Sequence, residues 1–277
     1  MPRDLPDFKN PPVVEVALSV QFERLANLRT PHIGLLWSEY KAEYPKIEDQ
    51  QPLESVFEDF HSEGQVRPRV TIQLSSSPPV PRCWFLNDAG TRLIQVQADR
   101  FIYNWRKGEG ERDYPRYESV RDGFEKEFRK FREFISKQGL GDIKPNQADV
   151  TYVNAVYVRD VGGSHANLDK LLTLFSNTYS EPLQIEMETV SMSARLLIKN
   201  DEGKPEARLH ITIDPVFTVF DTQPIFLLKL TARGKPKGES TADVIDFFNL
   251  GRVWIVKGFT SITTKHMHEQ WERIDNQ

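Results

Sequence analysis

One stretch constrains the fold of this chain more than any other. Tyr117, Val120, Phe124, Phe128, Phe131 and Ile135 recur at spacings of three or four, and charged residues fill most positions between them. That spacing predicts a helix with a single apolar stripe, which must lie on another apolar surface to leave water. Gly139 stands where its C-cap is expected. Extended segments before it supply such a surface. Val14, Val16, Leu18, Val20 and Phe22 alternate along one face of a strand. Residues 83–86, 91–98 and 100–106 read as a meander, with turns at 87–90 and around Asp99. Thr30-Pro31 opens a helix carrying Ile33, Leu36, Trp37 and Tyr40, and a short strand is expected at 70–74.

A strand at 150–159 ends the first half, before the punctuating run Asp160-Val161-Gly162-Gly163-Ser164. The second half again shows extended segments followed by helices. A short helix around Leu168, Leu171, Leu172 and Phe175 comes next, then extended segments at 190–199, 208–220 and 224–234, then closing helices at 240–250 and 260–274. The expected class is α+β: two helix-on-antiparallel-sheet halves packed together, 1–160 and 164–277, able to behave as one compact unit. The common order raises internal structural duplication, although no sequence repeat accompanies it.

Charge and cysteine usage exclude several classes. Lys and Arg total 36 against 40 Asp and Glu, so a net charge of −4 removes the bulk-electrostatic case for a general DNA-coating protein. A single cysteine, Cys83, rules out an intrachain disulfide framework. At the start of an apolar strand it reads as an inert thiol. The polar, Pro-rich opening lacks a signal-peptide core, and no run reaches membrane-spanning length, so a reducing cytoplasm is the expected location. The charge is also unevenly spread. Residues 39–63 hold eight acids against Lys41 and Lys46, which reads as a solvated surface, whereas 100–137 holds eleven bases against eight acids.

Few constellations carry chemistry. His266 and His268 point to different faces of a helix, His210 stands near Asp214 in a strand, and no Cys/His cluster joins them, so no metal or cofactor is expected. A GxSxG elbow and a phosphate-binding P-loop are both missing, and acids flank Gly108 and Gly110. Tyr103, Trp105, Tyr114 and Tyr117 interleave with bases, a pattern suited to stacking on single-stranded nucleic acid or nucleotides and equally to core packing beside ion pairs. Asn104 and Asn154 interrupt apolar strands. The candidate ligand- or nucleic-acid-binding residues are therefore Arg100, Tyr103, Asn104, Trp105, Arg106, Arg116 and Asn154. Were Arg100, Asn104, Arg106 and Asn154 to converge on one concave face, they would form a polar pocket; placement on opposite faces would defeat it.

Several phrases carry a family resemblance: Asn10-Pro11-Pro12-Val13-Val14-Glu15-Val16, Gln95-Val96-Gln97-Ala98-Asp99-Arg100-Phe101 running into Asn104-Trp105-Arg106, Tyr114-Pro115-Arg116-Tyr117, Tyr152-Val153-Asn154, and His268-Glu269-Gln270-Trp271-Glu272. In this order they resemble an uncharacterised protein family distributed sporadically across bacteria and archaea. The resemblance brings no activity, substrate or catalytic residue. Sporadic distribution implies an accessory role such as phage defence or a toxin–antitoxin module. The expected function is thus a non-enzymatic interaction or regulatory protein that binds a partner protein encoded nearby. A nucleic-acid or nucleotide binder using 100–137 is the alternative. A metal-dependent hydrolase or nuclease with acids among Asp99, Glu118, Asp149 and Asp214 is a second one. Homodimerisation through an edge strand or the closing helix is compatible with all three.

Overall fold

The structure, a computed structural model, describes residues 5–60, 80–108, 114–181 and 184–274. The expected strand at 70–74 lies outside the described residues. The first half runs β1 (Asp7–Phe8), β2 (Val13–Phe22), α1 (Thr30–Tyr40), β3 (Lys46–Gln50), β4 (Arg82–Leu86), β5 (Arg92–Gln97), β6 (Arg100–Arg106) and α2 (Arg116–Lys137). The second runs β7 (Pro145–Tyr157), α3 (Leu168–Leu171), β8 (Met192–Lys199), β9 (Pro205–Phe217), β10 (Pro224–Gly234), α4 (Thr241–Ile262), α5 (Lys265–Gln270) and β11 (Arg273–Ile274). Nine strands form one antiparallel sheet in the order β3-β4-β5-β6-β2-β7-β10-β9-β8, and β1 pairs separately with β11. This is an α+β fold with its helices packed on a large antiparallel sheet.

The strand order is nearly a palindrome. β2 pairs with β6, the last strand of its meander, and β7 pairs with β10, the last strand of its own. β2 and β7 pair antiparallel with each other at the centre. A long helix follows each meander, α2 after β6 and α4 after β10. The two halves therefore share one order of elements, β-α-meander-α, and meet through a shared sheet. In that order β7, ahead of Gly162 and Gly163, opens the second set. Those glycines, at φ 89° and 83°, instead follow a 3-10 turn at the end of β7.

One face of the sheet holds the core. The α2 stripe lies on β6 and β2, where Phe101 meets Phe124, Phe128 and Phe131 with ring centroids 5.2–5.8 Å apart. Phe248 of α4 reaches Phe124 edge-on at 4.8 Å, joining the cores of the two halves. In β2 a register shift between Val13 and Glu15 turns Val13, rather than the expected Val14, into the core.

The first expected closing helix, 240–250, continues to Ile262, and α5 stands within the second, 260–274. α4 runs unbroken through Gly251 and Gly258. Both glycines serve close packing. A Cβ on Gly251 would meet Val150 Cγ2 at 2.9 Å, and one on Gly258 would meet Leu209 Cδ2 at 2.6 Å. Glycine lets the helix lie against the sheet, and that burial offsets its poor helix propensity.

Candidate functional site

Strand alternation sends a second set of side chains to the face away from the helices. One rung of the sheet carries Asn104, Ala17, Thr151, Thr231, His210 and Arg195 across six strands. Gln21, Gln95, Gln97 and Arg100 share this face and are buried. Residues 51–60 cross it in extended form and explain their burial. Gln97 grips the Leu53 peptide from both sides, its Oε1 accepting from the Leu53 N–H and its Nε2 donating to the Leu53 carbonyl, each at 2.9 Å. The Val56 N–H donates to Gln21 Oε1 at 2.9 Å, and Arg100 donates to the Glu54 carbonyl at 3.0 Å. Farther along, the Glu58 carboxylate pairs with Arg208 and lies 2.5 Å from His210 Nε2. Burial favours the neutral acid, but His210, Arg208 and Arg233 together hold Glu58 below the usual carboxylate range. Within the acidic run, then, Glu58 belongs to a buried network rather than to the expected solvated surface, whereas Glu39, Glu48 and Asp49 are exposed.

The seven sequence candidates divide between the two faces. Arg100, Asn104 and Arg106 lie on the polar face, where Asn104 accepts from Gln95 at 2.8 Å and donates to Glu15 at 2.5 Å. Arg106 stacks over Trp84 at 4.8 Å. Tyr103 and Trp105 point the other way and are buried in the core, so their rings are not presented for stacking. Asn154 and Arg116 are also on the helix side, lining a cavity between α2, α4 and β1. The four-residue polar pocket therefore does not form, because Asn154 and Asn104 occupy opposite faces of the sheet. Its three other members stay together on one face.

The remaining chemical candidates are separated as well. Glu118 pairs with Arg252 on the helix side, and Asp149 pairs with Arg233 on the polar face. Asp99 bonds Gln97 and Ser55, both at 2.5 Å. Among the described residues no group of three His, Cys, Asp or Glu side chains could hold a metal ion. Burial pushes the Cys83 thiol up to about 12, which keeps it protonated and unreactive. Among the described residues no helix is long and apolar enough to cross a membrane.

Sequence reasoning missed the two edges of the sheet. β3 closes one edge with Lys46, Glu48 and Asp49, and α1 covers β4 behind it through Leu36 and the Tyr40–Phe85 ring contact. β8 closes the other edge with eight residues, most of them exposed. Leu196 and Leu197 are 42% and 45% exposed. The tip of the adjoining β9–β10 hairpin adds Phe217, Val219 and Phe220, the last 91% exposed. Leu174, Tyr179 and Ile185, in the chain that leads into β8, are exposed too. In the second half α3 stands where α1 does, but it has four residues against eleven, and among the described residues no strand stands where β3 does. The sequence signal was the apolar run Leu196-Leu197-Ile198 inside an extended segment.

Neither the family models nor the curated proteins include a match to this chain.

Proposed function

We propose that this is an interaction protein whose β8 edge receives an extended strand of a partner protein. The observation that carries the reading is that, among the described residues, no strand pairs with the outer side of β8, where the other half has β3. An open edge offers a row of backbone donors and acceptors, and an added strand satisfies them while burying the side chains around it. Exposed apolar residues on one edge are the usual mark of such contacts.

Charge favours a different protein over a second copy. The charged side chains of β8, Arg195 and Lys199, are both cationic and exposed. Antiparallel self-pairing centred on Leu196 sets Arg195 diagonally across from its own copy, and neighbouring registers set Arg195 against Arg195 or Lys199. A strand with apolar and acidic residues meets the edge without that repulsion. The test is co-expression of the tagged full chain with the proteins encoded beside it. The chain is expected to retain one of them in stoichiometric amount, and Leu196→Lys to lose it while Ile47→Lys on β3 keeps it. Undiminished retention by Leu196→Lys would overturn the reading.

A further inference from the structure

A second site lies on the opposite face, away from β8. Where β2 and β7 emerge beneath α2 and α4, a cavity of about 400 Å³ opens, and β1 forms one of its walls. Its surface is largely aromatic and aliphatic, with Phe8, Tyr114, Tyr152 and Phe259 among the lining rings. Pockets of this size with a few placed polar groups are typical small-molecule sites.

Three observations narrow what would fit. Asn154 is 2% exposed as a residue and lines the cavity; its Nδ2 donates to the Leu228 carbonyl at 3.1 Å, and its Oδ1 has no hydrogen-bond partner among the described residues. That oxygen is not one of the sealed, unpaired polar atoms of the described residues, so a donor entering the cavity can reach it. Two residues earlier on the same face of β7, the Tyr152 hydroxyl lies 2.9 Å from the Tyr114 hydroxyl. Two phenols sharing one hydrogen bond leave one O–H to offer elsewhere. Burial raises both phenols, Tyr152 to about 12, so they stay protonated donors at neutral pH. Finally, the cavity's cations are already matched. Arg116 pairs with Asp7 at 2.8 Å and Arg252 with Glu118 at 2.9 Å. An ionic ligand would have to compete with a carboxylate for either guanidinium.

An amide acceptor and a phenol donor, two residues apart on one face of β7 in a cavity whose arginines are already paired, suit a neutral ligand that carries both a donor and an acceptor. We infer that the cavity binds a neutral, planar nitrogen heterocycle with adjacent hydrogen-bond donor and acceptor on one edge, the edge of a nucleobase, free or as its nucleoside. Arg116 adds a sign of a built site. It is a non-glycine residue at φ 70°, held at the start of α2 by Asp7 and by the Phe8 carbonyl at 3.3 Å. Such conformations persist where their surroundings enforce them.

The experiment measures thermal shift and calorimetric binding of the full chain with uracil, adenine, uridine, adenosine, the two nucleoside monophosphates and inorganic phosphate. At least one base or nucleoside is expected to bind saturably, its monophosphate no more tightly, and phosphate not at all. Tyr152→Phe, which keeps the ring, should weaken binding roughly tenfold, the effect of one lost hydrogen bond. Asn154→Leu should abolish it, with its ligand-free melting curve confirming that it folds. Failure of every base and nucleoside to bind at millimolar concentration would overturn the inference. So would binding unchanged in Tyr152→Phe and Asn154→Leu, or phosphate alone reproducing the shift.

Discussion

β3 and β8 end the same sheet at opposite edges, and the chain treats them in opposite ways. β3 is short and charged, and the strand it protects, β4, is covered by a full helix. β8 is longer and carries exposed leucines, and its counterpart helix is a single turn. An edge is usually shielded by shortness, charge or cover, because an open one pairs with whatever strand it meets. One half of this molecule uses all three devices and the other uses none of them fully. The difference is what supports the proposal that the second half is completed by a partner strand.

The largest effects should come from breaking the completed half. Leu36 of α1 is fully buried, so Leu36→Ala is expected to cost about 2–5 kcal/mol in denaturant unfolding. Leu196→Ala at the open edge should cost far less. Equal losses at the two positions would mean that β8 is covered after all. The closeness of α4 to the second half can be tested next. Gly251→Ala forces a methyl group against Val150 and Ala232 and should destabilise by about 1–3 kcal/mol despite its better helix propensity.

The segment that crosses the polar face gives a smaller, pH-dependent effect. The Glu58 pKa is lowered in the folded state, so its stabilisation is present above the ordinary carboxylate value and is lost as pH falls through the lowered one. Buried Glu127 of α2 behaves oppositely. Burial raises its pKa, so the fold is penalised as pH rises through the ordinary value toward the raised one. Urea titrations across pH should therefore show Glu58→Gln losing about 1–3 kcal/mol near neutrality and converging with the parent in acid. Glu127→Gln should equal or exceed the parent near neutrality. Parallel curves for the two variants would break the assignment. The smallest effect on stability is expected from Leu196→Lys, within about 0.5 kcal/mol of the parent by thermal melting, as for other exposed positions.

Much of this architecture was legible in local patterns. β6 and β10 have the bounds their turn residues marked, and the stripe of α2 is buried as its spacing required. β3 was hidden because Glu48 and Asp49 are poor strand formers and pair only as an edge. From sequence the first closing helix ends at Leu250; its continuation to Ile262 depends on Gly251 and Gly258 packing on Val150 and Leu209. Asn104 was recognisable as a polar interruption of an apolar strand, and Arg100 and Arg106 as bases beside aromatic residues. Their separation from Asn154 depends on which way each strand faces. The apolar run Leu196-Leu197-Ile198 marks an extended segment, but that it lies at a sheet edge depends on strand order, which joins residues far apart in sequence.

The most direct measurement of the β8 claim places a photo-crosslinking amino acid at position 196, and separately at position 47, in the full chain within its native cells. Position 196 is predicted to cross-link to one different protein, and that protein, once purified, should slow amide exchange across residues 192–199. Position 47 should give no such product. Cross-linking at 196 no greater than at 47, or solely to a second copy or to the chain's own residues 61–79, would contradict the account.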